Sequence, residues 1–205
     1  MPQRPTLPQP ACPTPRRRAW VTAGLALLAM TITARAAGPE PDMASLAAQR
    51  AALAPLAKMD GLWRGPARML QRDGTWRTLT QTERVGPMLD GTLRMVEGRG
   101  HEADGRISFN ALGVIGYDPA AGRYTFRAWA LGQAADHRFE LTPGGFIWTL
   151  GGGGPPVRYT ATLEGNRWHE LGELVLPGRP PVKVFEMTLE RVGNTDWPAA
   201  GAPGP

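Results

Sequence analysis

The sequence predicts an all-β domain, a closed antiparallel β-barrel of about ten strands with one short N-terminal helix. Three observations carry this. Short alternating runs recur from position 61 to 192, each bounded by Gly, Pro, Asn or Asp turn residues. A Gly-x-Trp-x-Gly signature, Gly61-Leu62-Trp63-Arg64-Gly65, heads the first run. One alanine-rich segment with helix-start chemistry precedes it.

Residues 1–36 read as a leader outside the fold. Arg16, Arg17 and Arg18 form a basic start, Ala19–Ile32 is apolar, and Ala34-Arg35-Ala36 is a small-residue cleavage site. The apolar run is shorter than the ~20 residues a spanning helix needs. The expectation is a signal peptide cleaved after Ala36, a periplasmic or secreted protein and no stable membrane anchor. The leader also explains the formal charge of +5. Five of the 23 basic residues lie in it with no acid, leaving 18 against 18 acidic residues and a neutral remainder. Without a positive field, nucleic acid is not an expected partner. Cys12, the sole cysteine, is in the leader too, so the mature chain has no disulfide, thiolate nucleophile or cysteine metal ligand.

Residues 37–60 form a linker and a helix over Met43–Ala54, capped by Asp42 and ended or kinked at Pro55. Its apolar stripe is thin, which suits a plug at the barrel mouth. Strands follow over Leu62–Gln71, Trp76–Val85, Leu89–Gly98 (with Gly91 a bulge or bend), Ile107–Tyr117 and Arg123–Leu131. His137–Thr142 alternates most cleanly, setting His137, Phe139 and Leu141 on one face. Phe146–Leu150, Val157–Leu163, Trp168–Leu176 and Val182–Val192 complete the set, and 193–205 is expected to be a disordered tail. An immunoglobulin-like sandwich is the rival architecture, but it usually has fewer strands. Ten strands about 4.8 Å apart and tilted about 40° give a backbone radius near 10 Å, room for one small ligand.

Four stretches span nearly all of residues 60–191: Asp60-Gly61-Leu62-Trp63-Arg64-Gly65, Leu89-Asp90-Gly91-Thr92-Leu93, Leu112-Gly113-Val114-Ile115-Gly116-Tyr117-Asp118-Pro119 and Phe185-Glu186-Met187-Thr188-Leu189-Glu190-Arg191. Together they resemble the uncharacterised bacterial lipocalin-like (calycin) barrels, to which the haem-binding nitrobindins are distantly similar. The resemblance implies a tryptophan plugging the closed end of a ligand cavity, and makes haem a cofactor to test. The nitrobindin axial histidine lies on the final strand, and Val182–Val192 contains none, so only His137 or His169 could substitute.

The candidate lining is Trp63, His137, Phe139, Trp148, Tyr159, His169 and Met187, an aromatic and deformable wall for a small hydrophobic molecule. His137 and His169 share parity with apolar neighbours and are expected to face inward, either as ligand contacts or as hydrogen-bonded core histidines. His101 lies in a charged loop and reads as solvated. The sequence carries no nucleophile elbow, no H-E-x-x-H and no metal-ligand spacing, so neither catalytic residues nor a metal site is assigned. The glycine run 151–154 lacks the strand-to-helix context of a phosphate loop and reads as a flexible turn. A hydrophobic-ligand carrier is the leading expectation. A haem or nitrogen-oxide-handling barrel, a small enzyme using His169 as base, and an interaction module without a cavity are the alternatives.

Overall fold

The computed structural model describes residues 40–151, 154–195 and 197. The expected leader lies outside the described residues, as do positions 152 and 153 of the glycine run and residues 198–205 of the tail.

Helix α1 spans Met43–Leu53. Asp42 caps it, its Oδ1 accepting from the Ser45 backbone N–H at 3.0 Å and its Oδ2 from the Ser45 hydroxyl at 2.6 Å. The α-helix ends ahead of Pro55, as the sequence predicts. Pro55 sits in the first turn of a 3-10 segment, Ala54–Met59, where a missing N–H is harmless. Leu53, Leu56 and Met59 are fully buried beneath this segment.

The ten strands are β1 Gly61–Leu70, β2 Trp76–Met88, β3 Leu93–His101, β4 Ile107–Asp118, β5 Arg123–Ala130, β6 Gln133–Thr142, β7 Gly145–Leu150, β8 Val157–Glu164, β9 Arg167–Leu174 and β10 Val182–Gly193. Each pairs antiparallel with its chain neighbours, and β10 pairs with β1 to close the barrel. The predicted fold class is therefore the observed one.

Several boundaries differ from the sequence reading, among them the end of β3, which runs to His101 and sets that residue in the sheet rather than in a solvated loop. Three have a clear local reason. β2 runs on through Gly86-Pro87, because proline near a strand end gives up little pairing. Leu89, Asp90 and Gly91 all take positive φ (48°, 54° and 84°) in a tight turn, so β3 begins only at Leu93 and Gly91 is no bulge within it. β6 starts four residues early, at Gln133, because Leu131-Gly132 forms a hairpin with positive φ at both residues. The start of the tail also has a place: the Thr195 hydroxyl donates to the Val85 carbonyl, and the Arg84 guanidinium lies 4.8 Å from the Trp197 ring centre.

The Gly-x-Trp-x-Gly signature has a steric basis at both ends. Gly61 takes φ 138°, and a Cβ there would sit 2.8 Å from the Gly193 carbonyl oxygen. A Cβ on Gly65 would sit 2.0 Å from the Thr188 carbonyl, so β10 crosses β1 only where no side chain intervenes. Between them Trp63 is driven into the barrel and is 1% exposed.

Candidate functional site

The two ends of the interior are built differently. At the α1 end the Trp63 indole N–H donates to the Met59 carbonyl at 2.7 Å, and its ring meets Trp168 edge-on at 5.8 Å. The Arg191 guanidinium lies 4.8 Å from the Trp63 ring centre and donates to the Lys58 carbonyl. Arg94, 4% exposed, pairs with Asp60, and the Tyr124 hydroxyl donates to the Ala52 carbonyl at 2.6 Å. The helical segment is thus tied down mainly through its own backbone carbonyls, which helix ends leave without partners. It closes the Trp63 end, not the opposite mouth where the sequence reading put a plug.

At the other end the inward-facing side chains are only half-buried. Phe126, His137, Trp148, Tyr159 and Phe185 form this wall. Trp148 stacks on Tyr159 with ring centres 4.0 Å apart and planes 6° from parallel. Phe126 meets Trp148 edge-on at 5.5 Å, and His137 lies 5.6 Å from both. Phe139, one layer deeper, is stacked on Phe146 at 5.2 Å, and Met187, 4% exposed, belongs to the same core.

Between the two ends lie two buried carboxyls, neither anticipated as a site from the sequence. Glu170 on β9 accepts from the Trp148 indole at 3.1 Å with one oxygen and from the Trp168 indole at 3.2 Å with the other. Glu83 on β2 accepts from the Gln81 amide at 2.7 Å. Glu83 lies over Gly98, where a Cβ would sit 2.7 Å from its Oε1, and Tyr159 lies over Gly172 in the same way. Neither acid forms an ion pair among the described residues. Burial pushes Glu83 up to about 8, opposed by the Gln81 hydrogen bond and reinforced by the charge of Glu170. Burial likewise pushes Glu170 up to about 7 against the two indole bonds. Burial, and then the charge of Glu170, raises the Tyr159 phenol to about 12.

Six of the seven residues expected in the lining face the interior: Trp63, His137, Phe139, Trp148, Tyr159 and Met187. Trp63, Phe139 and Met187 belong to the sealed layers, while His137, Trp148 and Tyr159 reach the mouth. His169 does not face inward. Its side chain is 39% exposed and its Nε2 lies 3.5 Å from Glu186 on the outer surface, in a cluster with Arg68 and Lys183. The cause is pleat phase. Leu163 pairs with Trp168 and Ala161 with Glu170, so β9 turns Trp168, Glu170, Gly172 and Leu174 inward. A base at His169 acting within the cavity therefore loses its geometry. The signal for Glu170 was its parity with Trp168; the sequence reading instead took the inward face of this strand from His169 and its apolar neighbour Leu171.

The residues present do not fit a haem. The inner face of β10 carries Phe185, Met187 and Leu189 and no histidine. His137, the inward imidazole, is packed against Phe126 and Trp148, and burial lowers its pKa. Among the described residues no cluster of three potential metal ligands occurs. Two grooves of about 450 and 370 Å³ mark the outer surface, one beside Arg64 and His101, the other between Trp129 and Trp197. Neither contains the carboxyls or the stacked rings.

These features define a class: a closed ten-stranded antiparallel barrel, capped by a helix at one end, compatible with holding a ligand. Among solved structures it is similar to the crystal structure of Rv2717c from M. tuberculosis, with a TM-score of 0.51 and 11% identity, covering 68% of this chain and 96% of that one. At that identity the likeness is one of fold. No family model matches the chain, and no curated protein matches it.

Proposed function

We propose that this protein is an exported calycin-type barrel that binds one small, largely apolar molecule at its open mouth. The half-buried ring wall of Phe126, His137, Trp148, Tyr159 and Phe185 carries this reading, because it stands above a core that is otherwise sealed. A folded core buries its aromatic rings; rings left half-buried at one end of a barrel offer flat contact area to a ligand at little ordering cost. The basic-apolar-small order of residues 16–36 supports action outside the cytoplasm.

Native mass spectrometry of protein purified from its own host tests both halves. The expected spectrum shows a chain beginning at Ala37 and a second series displaced by a co-purifying small molecule. That series should vanish in Trp148→Ala. A spectrum of unliganded protein alone, unchanged on adding hydrophobic extracts of the host, overturns the binding reading. A retained leader overturns export.

A further inference from the structure

We propose that the ligand is an organic cation: a flat apolar body carrying a protonated amine, the body against the Trp148–Tyr159 stack and the ammonium on the carboxyls of Glu170 and Glu83. This deepens the binding reading above and rests on it.

The placement of charge is the first reason. Glu170 sits between the ring wall and the sealed core, joined to Trp148 on one side and Trp168 on the other by its two oxygens. The charge of Glu170 adds to the cost of ionising Glu83, yet no basic side chain of the described residues pairs with either. The buried arginine pairs with Asp60 through one terminal nitrogen, its Nε left without a partner. Buried acids either keep their protons or ionise against a counter-charge, and no such charge pairs with these two among the described residues.

The wall gives a second, independent reason. His137 Nδ1 is sealed from solvent with no hydrogen-bond partner, in a ring that touches Trp148. Burial holds this imidazole neutral, so the orphaned nitrogen can accept from a ligand N–H. Orphaned buried polar atoms are uncommon in folded proteins and call for a physical account. Aromatic faces also attract cations, by about 0.5–2 kcal/mol as water is excluded. An anionic ligand such as a fatty acid would meet two carboxyls instead.

Calorimetric titration at about pH 8 with three ligands of one shape provides the test: 2-naphthylmethylamine, 2-naphthylmethanol and 2-naphthoate. The amine is expected to bind at least about tenfold tighter than the alcohol, and the naphthoate weakest, for a buried ion pair in place of a neutral contact. Amine binding should also release protons near pH 7, read from titrations in two buffers of different ionisation enthalpy, because the acids must ionise to receive it. The titratable group facing them is Tyr159 on β8, which stays protonated; Glu97 on β3 turns outward to Arg99, and its charge still adds to the burden on Glu83. Glu170→Gln and Glu83→Gln should bring the amine-to-alcohol ratio towards one. If a variant fails to fold, the wild-type selectivity and proton release decide alone. Equal affinity for amine and alcohol, or preference for the naphthoate, overturns the cation while leaving a binding barrel. Failure of all three to bind overturns both.

Discussion

The helix-capped end and the mouth use the same ten strands to opposite purposes. At the capped end most polar groups have a fixed partner: the Trp63 indole on Met59, the Tyr124 hydroxyl on Ala52, Arg94 on Asp60 (its Nε left over), Arg191 on Lys58. Between the ends two acids are buried without an ion pair among the described residues, and at the mouth an imidazole nitrogen has no partner. A sheet closed on itself has no edges to defend, so its stability can be concentrated at one end. The other end is then free to carry polar groups that a purely structural core would not keep.

Substitutions ranked by effect can break or sharpen that contrast. Trp63→Ala should be the most damaging, costing about 3–5 kcal/mol through lost packing and the cavity left behind. Urea unfolding reads it, and a loss under about 1 kcal/mol would show that this end is not the anchor.

The next effect is a dependence on pH. An acid whose folded pKa lies above its unfolded value holds its proton more tightly when folded. The contribution is fully present below the ordinary glutamate value and is lost as pH rises to about 7 for Glu170 and about 8 for Glu83. The expected slope is on the order of 1 kcal/mol per pH unit for each group inside its window. Unfolding midpoints across that range measure it, and Glu83→Gln should flatten the upper part of the curve. An identical curve in that variant would mean the carboxyl reaches water. Glu186 has the opposite sign, held down to about 2 first of all by Arg68, and its window lies below the other two.

Tyr124→Phe removes one hydrogen bond to the helical segment and should cost about 1 kcal/mol, seen as a lower urea midpoint at unchanged slope. Smallest is Glu186→Gln on the outer surface, where exposed ion pairs are worth about 0.2–1 kcal/mol and fade with added salt. A loss as large as that of Tyr124→Phe would place more of the stability on the outer face than the contrast allows.

Much of the architecture was legible because β-barrels write themselves in period two. Turn residues such as Asp73-Gly74 and Asp118–Gly122 punctuate the chain, and His137–Thr142 or Phe185–Leu189 separate their faces without conflict. The Gly-x-Trp-x-Gly start was readable because sterics demand it. The carboxyls were not readable, and for one reason. In β2 and β9 the inward parity carries Gln81, Glu83 and Glu170, residues whose chemistry argues for water. Where hydrophobicity and pleat disagree, the pleat is fixed by the partner strand, which a single sequence does not display. His169 was misplaced by the same rule, since its neighbour Leu171 is apolar and faces outward with it.

One feature of the topology reaches beyond the folded state. Every strand meets its predecessor through a local hairpin or loop except at the seam, where Gly61–Leu70 waits for Val182–Gly193. The seam joins segments more than a hundred residues apart, and such distant pairings are slow to form. A chain still being made, or threaded unfolded across a membrane, therefore carries two raw strand margins until its last dozen barrel residues emerge. Truncation before Val182 leaves them permanently unpaired, a template for aggregation.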